Sequence, residues 1–332
     1  MSDPGPGRLP SCGKRAPVLS CPALAALVVA LLAAAMPAPS AATTATTATN
    51  DPAATAPSDG APVMRRIRQT GAIRIAHRES SVPFSFVADG KPVGYAVDLC
   101  LKVADAVRSA LKLPSLRVDW VPVTPASRIP AIVEGKADLE CGSTTNNRER
   151  REQVAFTIPH YIAGSRMLVK AASGINKWPD LRGKTVVSTT GTTPLATLRK
   201  MDESGALQLR LVEARDHAQA FAMVEAGKAD AFVMDDVLLY GLRANAARPD
   251  DYRVTGDLLT IEPYAIMLSR QDTAFKQLAD KTLVASIYDQ DTQRLYRKWF
   301  QAPIPPHGIR LDIPMSYLLR DSFKFPSDKV AD

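Results

Sequence analysis

Val133-Glu134-Gly135-Lys136-Ala137-Asp138 returns later in the chain as Val224-Glu225-Ala226-Gly227-Lys228-Ala229-Asp230. In both places a helical pattern ends, glycine supplies the left-handed turn that closes it, and an apolar strand follows. Around the first copy, periodicity predicts strands at 72–77, 116–123 and 137–141, with helices at 97–111 and 128–134. Around the second it predicts strands at 184–189, 207–212 and 231–234, with helices at 193–201 and 218–225. Each is a βαβαβ unit, the mark of a largely parallel sheet covered by helices. Because the echo falls at the same place in both units, the chain is expected to form two similarly built α/β lobes.

Two extended apolar segments, 161–170 and 263–269, run past each unit's own sheet and predict two crossings between the lobes. Two amphipathic helices follow the second crossing, at 274–287 and 292–300. If these pack back on the first lobe, domain one is discontinuous, spanning 64–164 and 264–332, and domain two is the insertion 165–263. Such a clamp closes by rotation about a few hinge residues. The tail after 303 mixes proline with Ile309, Leu311, Tyr317, Leu319 and Phe323. It reads as a wrap against domain one with a helical turn near 317–321.

Residues 1–42 read as a signal peptide. Arg8, Lys14 and Arg15 precede an apolar run from Cys21 to Met36, and small residues follow at Ala38, Ser40, Ala41 and Ala42. The run is shorter than the roughly 20 residues of a spanning helix, which favours export over an anchor. Cys21 follows Val18-Leu19-Ser20 but stands before the apolar run, so it makes a poor lipid-attachment site. Residues 43–63, almost all Thr, Ala, Pro and Ser, predict a flexible tether. The leader and tether point to the periplasm. Beyond residue 42 only Cys100 and Cys141 remain of four cysteines, either one disulfide or two buried thiols.

Bulk composition narrows the function. The 332 residues carry a net charge of +7 with 23% charged side chains, spread without a basic run interleaved with aromatics, so no nucleic-acid partner is expected. Four scattered histidines make no metal site. No Gly-Lys-Ser/Thr loop is present, and no cofactor is expected.

Open α/β sheets bind ligands at the carboxyl ends of their strands. Four clusters fall there: His77 to Ser81, Cys141 to Arg150, Thr189 to Thr193, and Met234 to Asp236. In the second and third, glycine with consecutive hydroxyl residues before a helix offers amides and hydroxyls to one point near the positive end of the dipole, a receptor for an anion. Ordinary N-capping would use the same residues. Arg150 tips the balance, since a guanidinium grips both carboxylate oxygens.

These blocks, with Gly94-Tyr95, Asp98, Lys184 to Thr193, and Lys298-Trp299-Phe300 followed by Pro303-Ile304-Pro305-Pro306, resemble the bacterial extracytoplasmic solute-binding proteins for polar amino acids. Within that family they are similar to the glutamate/aspartate-binding branch that serves ABC transporters. The resemblance covers nearly all of 64–330. It implies a type II periplasmic-binding-protein-like fold, a monomer that is not an enzyme, an ABC permease as partner, and glutamate or aspartate as ligand. It further implies that Arg150 holds the α-carboxylate with Ser143, Thr144 and Thr192, and that Asp235 meets the α-ammonium while Asp236 caps the next helix. Arg78 and His217, with Thr193 nearby, would meet the side-chain carboxylate, and Ser81 and Glu79 lie close to the cleft. Two alternatives stand beside this reading. One is a dehydratase-like enzyme of the same scaffold using Glu79 or His217 as general acid on a cyclic dicarboxylate, and the other is a ligand sensor paired with a receptor.

Overall fold

The computed structural model describes residues 61–329; the expected leader and all but the end of the expected tether lie outside them. Two five-stranded sheets form on one plan. The first runs in the order Arg117–Pro122, Ala72–His77, Leu139–Cys141, Met267–Leu268, Ala155–Phe156, with the first three strands parallel and the last two antiparallel to their neighbours. The second runs Arg210–Ala214, Thr185–Thr189, Ala231–Asp235, Ser165–Lys170, Tyr252–Thr255, again with three parallel strands and then antiparallel pairing.

The repeated motif has a structural reason in both lobes. Gly135 and Gly227 sit at φ +65° and +68° after the helices Arg128–Val133 and His217–Glu225, where a β-carbon would be strained. The aspartate that ends each copy then ties its strand to the parallel strand beside it. The Asp138 carboxylate accepts the Arg74 amide at 2.7 Å while its own amide donates to the Arg74 carbonyl at 2.8 Å. Asp230 treats Thr185 in the same way, at 2.8 Å in both directions.

Tyr161–Ala163 and Glu262–Tyr264 pair antiparallel as the two crossings. Behind them Phe84 stands edge-on to Tyr161 and Tyr264, with ring centroids 4.9 and 5.1 Å away, while Tyr161 stacks on Phe300 at 5.1 Å. These rings anchor the crossings to the first lobe and to the C-terminal helices. The helix Thr273–Tyr288 packs on Tyr95–Ala110. A disulfide joins Cys100 in that helix to Cys141 at a strand end, with Cα atoms 6.2 Å apart, deciding between the two readings of the cysteines.

Three local expectations are corrected. The fold begins before Met64, because Pro62 opens the helix Pro62–Thr70 and Ala61 is already buried. The free amides of Val63 and Met64 there donate to the buried Asp272 carboxylate at 2.9 and 3.3 Å, as helix starts require. The pattern at 292–300 divides into the helix Asp291–Tyr296 and a wider turn, Arg297–Gln301. The tail forms the expected turn as the helix Tyr317–Ser322, packed against the crossing strand Tyr161–Ala163 through buried Leu319, but Tyr317, expected in the wrap, is 68% exposed. Among the described residues no helix is long and apolar enough to cross a membrane.

Candidate functional site

Arg78 directly follows the first strand of lobe one, and its amide donates to Ser85 Oγ at 2.9 Å. Arg150 lies in the turn Arg148–Arg151, whose N-cap Asn147 accepts the Arg150 amide at 2.9 Å. A third arginine joins them. Arg128 opens the helix after the second strand, where its guanidinium donates to the carbonyls of Ser143 and Gly191, each at 3.3 Å. Arg150 also donates to Gly191 O, at 3.2 Å, and to Thr145 O at 2.9 Å. One carbonyl of lobe two therefore receives two arginines of lobe one.

Arg78, Arg128 and Arg150 are only 1%, 2% and 7% exposed. Among the described residues none of them forms an ion pair. Burial, followed by repulsion from Arg128, lowers the Arg78 pKa to about 9 and that of Arg150 to about 10, while burial depresses Arg128 as well. Arg78 Nη1 and Arg128 Nε have no hydrogen-bond partner. Buried guanidiniums without a direct ion-pair partner are costly; the buried Glu140 carboxylate partly offsets this for all three, and an interior with three such cations still favours an anion.

Across from Arg78 stands His217, the first residue of its helix, capped by Asp216. Arg78 Nη2 donates to His217 Nε2 at 3.4 Å, and His217 Nδ1 lies 2.9 Å from Thr189 Oγ1. A guanidinium has only donors, so Nε2 is the bare nitrogen and Nδ1–H donates to Thr189. Burial, then the charges of Arg78 and Arg128, hold the His217 pKa well below its ordinary value. The ring is neutral, and both nitrogens are engaged within the protein.

At the other end Asp235 is buried, accepting from Ser165 Oγ at 3.3 Å and from the Tyr264 hydroxyl. Burial and the nearby Glu262 raise its pKa well above the usual carboxylate value. Asp236, expected to cap the following helix, is instead its first residue after the N-cap Asp235, and its Oδ1 accepts the Val237 amide at 2.7 Å. Thr193 Oγ1 donates to Glu262 at 2.7 Å and lies 3.5 Å from Thr145 Oγ1.

The structure thus brings Arg78, Ser81, Ser143, Thr144, Arg150, Thr192, Thr193, His217 and Asp235 to the facing ends of the two sheets, all buried or partly buried. Not all present free groups. The Thr144 hydroxyl donates to Glu140 at 2.6 Å, and that of Thr192 donates to Thr189 O at 2.6 Å while capping Leu195. Ser143 Oγ reaches Ser81 Oγ at 3.5 Å. Glu79 is exposed. Arg128, Glu140 and Glu262 escaped the sequence reading. Arg128 follows the second strand, so the strand-end rule that found the other clusters applied there too. Glu140 alternates with the buried Leu139 and Cys141 of its strand, and Glu262 lies on a crossing. Among the described residues no group of His, Cys, Asp and Glu is arranged to hold a metal ion.

Known proteins resemble this chain in sequence and in fold. The sequence pattern of the bacterial extracellular solute-binding proteins, family 3, matches residues 73–302. The L-glutamate/L-aspartate-binding protein of Pseudomonas aeruginosa is 42% identical over 271 residues, covering 81% of this chain and 90% of its own. The glutamate/aspartate import solute-binding protein of Salmonella typhimurium is 40% identical over 277 residues, covering 82% and 92%. Among solved structures, a mutant ArgBP from T. maritima superposes with a TM-score of 0.64 at 27% identity, over 71% of this chain and 98% of that one. The fold is that of the type II periplasmic binding proteins.

Proposed function

The chain belongs to the bacterial extracellular solute-binding proteins, family 3, and on that premise we propose that it captures glutamate or aspartate between its lobes and delivers it to an ABC permease. The observation that carries this reading is the set of three buried arginines without an ion pair, facing Asp235 across one cleft. An acidic amino acid brings two carboxylates and one ammonium. Arg150 takes the α-carboxylate with backbone amides around Ser143, Thr144 and Thr192, and Asp235 takes the ammonium. Arg78 and Arg128 take the side-chain carboxylate. His217 acts through Arg78, fixing its guanidinium. Thr193 and Ser81 line the same space. A neutral side chain would leave Arg78 and Arg128 buried without a direct ion-pair partner.

Residues 61–164 with 264–329 act as one lobe and 165–263 as the other, working as a monomer in the periplasm after export directed by residues 1–42. The reading is one of binding without turnover. Glu79 is exposed and both His217 nitrogens are engaged, so neither stands ready as a general acid. Thermal melting of ligand-stripped protein tests the reading. Glutamate at about 100 times its Kd should add about 2.7 kcal/mol of stability, and a melting temperature indifferent to both glutamate and aspartate would refute it.

A further inference from the structure

Gly241 lies inside the helix Asp236–Asn245 of lobe two, is buried, and is not in the left-handed region. Neither the backbone nor the helix asks for glycine there, since glycine is the poorest helix former after proline. The reason lies in lobe one. A β-carbon on Gly241 would stand 2.6 Å from the Val82 carbonyl oxygen and 3.2 Å from Val82 C and Cβ. Val82 cannot easily yield, because its turn is held by Phe84 N–H to Ser81 O and Tyr95 N–H to Pro83 O, both at 2.8 Å. Gly191 meets lobe one in the same manner, its absent β-carbon falling 2.8 Å from Ala126 Cα. At φ +80° Gly191 is also required by its own backbone, so Gly241 alone separates closure from local conformation.

We propose that Gly241 is the closure stop of the clamp, the bare position that sets how near lobe two can come to lobe one and so admits the ligand-gripping contacts. Those contacts have no slack. Arg78 to His217, Arg128 to Gly191 O and Arg150 to Gly191 O span 3.4, 3.3 and 3.2 Å, near the limit at which a hydrogen bond still counts. A methyl group at 241 must push Val82 away by several tenths of an ångström, enough to break them. A closed form held ajar is less populated, and apparent affinity falls by the same fraction.

The test uses the full chain with Gly241→Ala and Gly241→Leu, measuring glutamate affinity by calorimetry, compaction on glutamate by X-ray scattering, and the ligand-free melting temperature. The expected result is an affinity loss of about tenfold for alanine and more for leucine, less compaction, and a ligand-free melting temperature unchanged or raised. Full compaction with unchanged affinity in the alanine variant would overturn the proposal. So would a lowered ligand-free melting temperature of that variant, which would assign Gly241 to packing within its own lobe. The inference rests on the proposed acidic-ligand clamp, yet the two fail separately: wild-type protein that ignores glutamate sinks the ligand reading, whereas normal binding by both wild type and Gly241→Ala sinks only this one.

Discussion

Arg78 and His217 meet across the two lobes, Nη2 to Nε2 at 3.4 Å, with the histidine locked from behind by Thr189. The pairing makes His217 a neutral acceptor that aims a cation. We predict that His217→Phe lowers glutamate affinity by about 10- to 100-fold, the worth of a hydrogen bond to a charged group. Nitrogen-resolved NMR of the wild type should find Nε2 unprotonated at neutral pH and well below it. A protonated ring at pH 6 would contradict this role.

Arg78→Ala should separate acidic ligands from their amides. Loss of one partner of a buried pair costs about 3–5 kcal/mol, so glutamate affinity is predicted to fall by roughly two to nearly four orders of magnitude while residual glutamine binding changes far less. Arg150→Ala should instead weaken every amino acid. Titrations of both variants against both ligands check the assignment, and equal losses for glutamate and glutamine in Arg78→Ala would remove it.

Much of this site was legible because position encodes it. Arg78, Arg150 and Asp235 stand at strand ends beside turn or helix-start residues, and the aspartates of the echoed motif announce two lobes of one design. Arg128 was equally placed, but its hydroxyl neighbours Thr124 and Ser127 come without the glycine that marked the second and third clusters. Glu262 and Tyr264 sit on an extended crossing, where the face toward the cleft is defined only once the two crossings pair. The hydroxyls of Thr144 and Thr192 read as ligand groups, yet the fold commits them to Glu140 and Thr189, a choice made by tertiary contacts alone.

Burial and Glu262 raise the Asp235 pKa in the free protein, whereas a bound ammonium favours the carboxylate. In the pH range where the free protein keeps Asp235 protonated, binding is therefore predicted to release a proton. Calorimetric enthalpies measured in buffers of different ionisation enthalpy should vary linearly, with the sign of proton release. Asp235→Asn should abolish that dependence along with most of the affinity.

His160 is buried among Phe84 and Tyr95, both ring nitrogens lack partners, and burial lowers its pKa to about 3. The unfolded chain then binds more protons than the folded one between about pH 3 and 6.5, so stability falls as pH drops through that window. His160 should contribute up to about 1.4 kcal/mol per pH unit. The melting temperature of His160→Phe should fall less steeply than wild type from pH 7 to 4.5, and parallel curves would contradict this.

Reducing the bond between Cys100 and Cys141, which closes a loop with a sequence separation of 41, should cost about 4 kcal/mol by loop entropy. Chemical denaturation of Cys100→Ser/Cys141→Ser should show the loss, and a midpoint equal to wild type would deny the bond a stabilising role.

Arg78, Arg128, Arg150 and Asp235 together make an acid-selective clamp. Calorimetry of the refolded, ligand-stripped protein against glutamate, aspartate, glutamine and asparagine tests it most directly. One site per chain should bind an acidic amino acid at least about a hundredfold more tightly than its amide, since a buried arginine left without its ion-pair partner costs about 3 kcal/mol or more. Amides bound as tightly as the acids would contradict it.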